Sequence, residues 1–123
     1  MCLALPVLKK STLSGVAALF LAGLFYLSLH QPRRNGGTIL HRVEHVGAFG
    51  ALGLLLLPLA RNRRETWFIA AAIFCVGCGM ELLQYHVFHF ARFRQPVEWW
   101  DIRDNTVGVL LALLAVRFTR LRT

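Results

Sequence analysis

Apolar residues arrive in four long runs along this chain, and the charges fall between the runs. Leu13 to Leu29 is uncharged for 17 residues, the lower end of what a helix needs to cross a hydrocarbon core of about 30 Å. The second run, His45 to Ala60, carries Gly47, Gly50 and Gly53 at every third position. Small residues so spaced let a neighbouring helix approach closely. A third run starts at Trp67, passes Gln84 and continues towards Phe88. The fourth has a short apolar centre, Thr106 to Val116. It reaches spanning length only from Asp101 to Phe118, with snorkelling ends or a thinned bilayer. The pattern predicts an all-α fold: one domain over residues 1–123, a polytopic membrane protein built as a bundle of four transmembrane helices. Their expected ranges are about 13–29, 45–60, 66–88 and 101–118.

Composition narrows the class. With 123 residues there is room for one domain, and a hydrophobic share of 56% is more than a soluble core of that size hides. The net charge of +8 raises nucleic acid as a partner. Yet the bases form short clusters at helix ends, without a stripe of interleaved aromatics, so no nucleic-acid partner is expected. Membrane lipids are. Lys9-Lys10 before the first run imitates a signal peptide, but Ser28-Leu-His-Gln-Pro32 lacks a small-x-small cleavage pattern, so the helix is read as retained. Three cysteines give no disulfide framework. Cys75-x-x-Cys78 has redox spacing, but among Gly77 and Gly79 it reads better as small packing residues in a helix seam.

Four spans put both termini and the middle loop on one side. Lys9, Lys10, Arg61, Arg63, Arg64, Arg117, Arg120 and Arg122 lie there against Glu65 alone. On the other side Arg33, Arg34, Arg42, Arg92, Arg94 and Arg103 are offset by Glu44, Glu98, Asp101 and Asp104. The asymmetry predicts cytoplasmic termini in the cell's inner membrane.

Glu81 interrupts the most apolar stretch, and an ionisable residue within a span marks a candidate functional site. Topology gives it company. Helix two begins, helix three ends and helix four begins on the outer side, so His45, Glu81, Gln84, Asp101 and Asn105 share a depth. Glu81 and Gln84 are three apart, Asp101 and Asn105 four apart, so each pair lies on one helix face. His41 joins His45 in the same way if helix two starts early enough. Arg92 and Arg94, in the following connection, are candidate counter-ions. Plainer roles exist for most of these. Asp101 and Asp104 suit a helix amino terminus, His45 an interface and Gln84 a helix end. Trp99-Trp100 suits the aromatic belt.

These residues resemble those of the VanZ-like family of small membrane proteins. His41-Arg-Val-Glu-His45-Val-Gly-Ala-Phe-Gly-Ala-Leu-Gly53 is similar to the family's Asp-Lys-x-x-His motif and the helix after it. Glu81-Leu-Leu-Gln84, then Asp101-Ile-Arg-Asp-Asn105-Thr-Val-Gly108, is similar to its Glu-x-x-Gln and Asp-x-x-x-Asn-x-x-Gly pattern. His41 and Arg42 stand where the family has Asp and Lys, and its Pro-Gly-Arg is absent in that form, with Arg94 or Arg92 as the matching arginine. The family is named for a protein of low-level resistance to the glycopeptide teicoplanin, and most members have no assigned activity. The resemblance implies an outer-leaflet polar site at the cell envelope and no particular reaction.

Three readings of the site follow. In the first it binds or acts on an envelope lipid or cell-wall precursor: Arg94 or Arg92 holds a phosphate, Gln84 and Asn105 contact the substrate, and Glu81 and Asp101 work as acid and base with His45 assisting. In the second the polar cluster only locks the bundle or docks a partner protein, with no catalysis. The third, less favoured, is a metal site among His41, His45, His86 and His89; the expected set of site residues includes no metal ligand. Neither a phosphate loop, a nucleophile elbow nor a cofactor fingerprint occurs, so no cofactor is expected. Four short helices offer no continuous polar path for transport.

Overall fold

The computed structural model describes residues 9–30, 39–90 and 99–120. They form four helices: α1 (Lys10–His30), α2 (Ile39–Leu56), α3 (Arg63–Phe90) and α4 (Trp99–Arg120). A 3-10 turn, Leu57–Leu59, extends α2 around Pro58, and no strand occurs among the described residues. Each helix is longer than its apolar run, because backbone hydrogen bonding continues into the polar flanks while hydropathy marks only the apolar portion. The largest difference is at α2, which starts at Ile39 rather than near His45 and so takes in His41 and Arg42.

Three helices are long and apolar enough to cross a membrane: Lys10–His30, Ile39–Leu59 and Arg63–His86. The fourth expected span falls short by that measure, since Asp101, Arg103, Asp104, Arg117 and Arg120 crowd its ends. Burial is inverted relative to a soluble domain. Leu19, Phe68, Leu54, Leu110 and Leu114 are exposed, while Glu81, Asp101, Asp104 and Asn105 are buried.

The α2–α4 pair forms the most extensive contact in the fold. The two helices run parallel, with partners offset by 60 positions at His41–Asp101 and His45–Asn105. Small residues allow the approach. A Cβ on Gly108 would lie 2.8 Å from Gly50 N and closer still to Val46 O, and one on Gly53 would lie 2.6 Å from Ala112 Cβ. Gly47, third in the sequence pattern, meets nothing within 4 Å. Glycine matters here only where α4 passes. At the far end Arg120 Nη2 donates to Leu57 O at 3.3 Å and Ala60 O at 3.0 Å, clamping the turn that follows α2.

α3 enters through a capping box of Asn62 and Glu65. Glu65 N donates to Asn62 Oδ1 at 2.9 Å, and the Glu65 carboxylate accepts from Arg61 N at 2.7 Å and Asn62 Nδ2 at 3.2 Å. Of the small residues on α3, Gly77 is in the seam: its missing Cβ leaves room for Phe49 Cε1 at 3.0 Å and Asn105 Nδ2 at 3.2 Å. Gly79 faces open space and Cys75 is exposed, so the seam uses less of Cys75-x-x-Cys78 than its spacing suggests. Apolar packing among Phe49, Leu52, Leu57, Ile73, Met80, Val109 and Ala112 fills the centre, with Ala17 the buried residue of α1.

Candidate functional site

The heads of α2 and α4 meet in a polar ladder. His41 and His45 are one turn apart on α2, as are Asp101 and Asn105 on α4, so a parallel register pairs them in order. His41 Nε2 is 3.2 Å from Asp101 Oδ1, and His45 Nδ1 is 2.8 Å from Asn105 Oδ1. An amide oxygen only accepts, so His45 donates from Nδ1. The other ring nitrogen, Nε2, stands 3.7 Å from Asp101 Oδ2, beyond hydrogen-bond distance. Asp101 is 1% exposed, deep enough that an unbonded carboxylate would be costly; both oxygens face imidazoles.

Beside the ladder lies a cationic rim. Asp104 Oδ1 accepts from Arg103 Nη2 at 2.6 Å and Nε at 2.9 Å, and Arg42 Nε stands 3.4 Å from Asp104 Oδ2. Both guanidiniums also lie over the Trp100 ring, at 4.6 Å for Arg103 and 5.9 Å for Arg42, within cation–π range. Their side chains are 44% and 43% exposed. Two half-exposed guanidiniums thus share the single carboxylate of Asp104.

The expected site residues separate. His45, Asp101 and Asn105 come together, with His41 as a fourth member. Glu81 is 2% exposed on α3, one turn beyond Gly77, which touches the Asn105 amide. Gln84 turns to α1, where Nε2 donates to Ser28 O at 2.9 Å. That carbonyl is among the last four of its helix, where capping partners are needed, and the bond ties α3 to α1. Arg92 and Arg94 lie outside the described residues, and so does the side chain of His89. Of the four histidines considered for a metal, His41 and His45 converge with Asp101 instead. His86 is exposed and edge-on to Tyr85.

Arg42, Arg103 and Asp104 are not among the site residues expected from the sequence, where they enter only as charges of the outer side or of a helix terminus and as positions within the motifs. The signal for their neighbourhood was the matched spacing itself: His41-x-x-x-His45 and Asp101-x-x-x-Asn105 each repeat at one helical turn, so two packed helices can pair them rung by rung. Residues flanking such a ladder share its depth. No protein-family model matches the chain, and neither a curated protein nor a solved structure matches it.

Proposed function

We propose that this chain is an integral membrane protein whose polar end binds the phosphate-bearing headgroup of an envelope lipid or cell-wall precursor at the outer leaflet. The observation that carries this reading is the half-exposed pair Arg42 and Arg103, held by Asp104 and Trp100 at the mouth of a bundle with an apolar exterior. Guanidinium groups bind phosphate oxygens by charge-assisted, often bidentate, contacts. A tryptophan at that position suits the membrane–water interface.

In this reading α4 is the fourth transmembrane helix. It follows α2 from His41 to the turn after Leu56, so it crosses whatever α2 crosses. The basic middle loop and carboxyl-terminal segment face the cytoplasm of the inner membrane, and the ladder faces outward. The likeness of His41–Gly53, Glu81–Gln84 and Asp101–Gly108 to VanZ-like proteins supports an envelope role, including a link to teicoplanin susceptibility. Arg42 and Arg103 take the phosphate role first considered for Arg92 and Arg94.

The test is Trp fluorescence of the full chain in neutral detergent micelles, titrated with short-chain phosphatidic acid or phosphatidylcholine. Phosphatidic acid is expected to bind at least about tenfold more tightly, a difference of about 1.4 kcal/mol. Arg42→Ala and Arg103→Ala should each erode that preference. Equal response to both lipids, or a preference that survives both substitutions, refutes the reading.

A second reading is favoured by polar groups that pair within the bundle: His45 with Asn105 in the ladder, and Gln84 with Ser28 between α3 and α1. Here the cluster is a lock that sets the α2–α4 register. Glu81→Gln separates the two. A lock predicts lower folded yield; a working site predicts full yield with lost complementation of a deletion strain's lipid and precursor profile.

A further inference from the structure

The two imidazoles and the carboxylate at the head of α2 and α4 have a geometry that headgroup binding does not need. His41, His45 and Asp101 each offer one ligand atom, and the three lie within 4.8 Å of one another. Asp101 places one oxygen 3.2 Å from His41 Nε2 and the other 3.7 Å from His45 Nε2. Ligands about 2.0–2.1 Å from a tetrahedral zinc ion stand about 3.3 Å apart, so the three side chains, whose ligand atoms lie within 4.8 Å of one another, need only draw in slightly to enclose one ion. The two rings sit 4.6 Å apart at 65°, inclined edge to face, so their nitrogens can converge as those of a stacked pair could not.

A separate observation concerns orientation. His45 gives its Nδ1 proton to Asn105 Oδ1 at 2.8 Å, which turns Nε2 towards Asp101. Metal-binding histidines are generally held by such a bond from the nitrogen that does not bind the ion. Histidines four apart on a helix put two imidazoles on one face, a recurrent zinc-binding spacing.

We propose that His41 Nε2, His45 Nε2 and Asp101 bind one divalent transition-metal ion of the zinc class. A three-ligand set leaves a coordination position for water or an external oxygen ligand. Binding through His41 Nε2 requires any proton on that nitrogen to move to Nδ1 or leave to solvent, since a ligand nitrogen must be unprotonated. The site shares one end of the bundle with the proposed headgroup rim but does not depend on it. Metal binding without a phosphatidic acid preference would sustain this inference and sink that reading, and the converse result would do the opposite.

The experiment uses the full chain, purified in detergent micelles and stripped with a chelator, then titrated with Co(II) and, by calorimetry, with Zn(II). One equivalent is expected per chain, with the visible Co(II) bands of a low-coordinate nitrogen–oxygen site. His45→Ala and Asp101→Asn should abolish saturable binding. Asn105→Ala, which leaves all three ligands, should weaken it by about 10- to 100-fold. His86→Ala should bind as the parent does. Should Asp101→Asn not fold by circular dichroism, His41→Gln, on a partly exposed residue, takes its place. Absence of stoichiometric uptake, or uptake unchanged in the folded triad variants, overturns the proposal.

Discussion

Gly108→Ala is the sharpest probe of how this bundle holds its polar end together. The added Cβ would meet Gly50 N at 2.8 Å and Val46 O closer still, and both are backbone atoms of α2 that no rotamer change can move aside. Ordinary contact needs about 3.4–4 Å, so α4 must withdraw by roughly an ångström or twist in place. Overpacking of this kind costs about 1–3 kcal/mol. The displacement also reaches the ladder, because Asn105 lies one turn before Gly108. His45 Nδ1···Asn105 Oδ1, now 2.8 Å, would stretch past the limit of a useful hydrogen bond and add about 1 kcal/mol. Thermal unfolding in micelles, followed by circular dichroism, is expected to show a midpoint lowered by about 5–15 °C. Gly79→Ala is the control: nothing lies within 4 Å of its Cβ, and alanine favours the helix by up to about 1 kcal/mol. If Gly108→Ala melts with or above Gly79→Ala, the α2–α4 seam is not where this structure puts it.

Other substitutions probe separate parts of the fold. Asn105→Ala leaves the inward-facing His45 Nδ1 without its acceptor and should cost about 1–3 kcal/mol in the same melt, whereas Asn105→Gln should recover part of it. Glu65→Ala removes the carboxylate that accepts from Arg61 N and Asn62 Nδ2; faster amide exchange at Arg61–Thr66 and a loss of about 1 kcal/mol are expected, with the ladder unaffected. Cys75, exposed near the middle of α3, tests the membrane reading. In a chain with Cys75 as its sole cysteine, a charged maleimide should label it in denaturant and not in intact membranes. Rapid labelling in membranes would place that helix face in water.

The four helices were legible because hydrophobic runs and basic punctuation are local properties of the chain. Convergence of His45, Asp101 and Asn105 was legible one level higher, since alternating spans put those residues at a common depth. Depth is not contact, however. Gln84 shares that depth and a face with Glu81, yet its amide caps Ser28 O on α1. Nothing in Glu81-Leu-Leu-Gln84 specifies which neighbour each side chain meets, because that depends on how α3 is rotated against α1 and α2. His41 was obscured for another reason: hydropathy begins helix two near His45, while backbone hydrogen bonds carry it back to Ile39.

By itself, the sequence determined an all-helical chain with an apolar exterior and polar chemistry gathered at one end, because hydropathy and helical spacing need only neighbours along the chain. Tertiary structure decided the pairing. Whether His41 meets Asp101 or another acid depends on α2 and α4 lying parallel at an offset of 60 positions. That register comes from backbone atoms of Val46 and Gly50 pressed against Gly108, a shape match between distant segments. The same match brings two imidazoles and a carboxylate within a metal ion's reach.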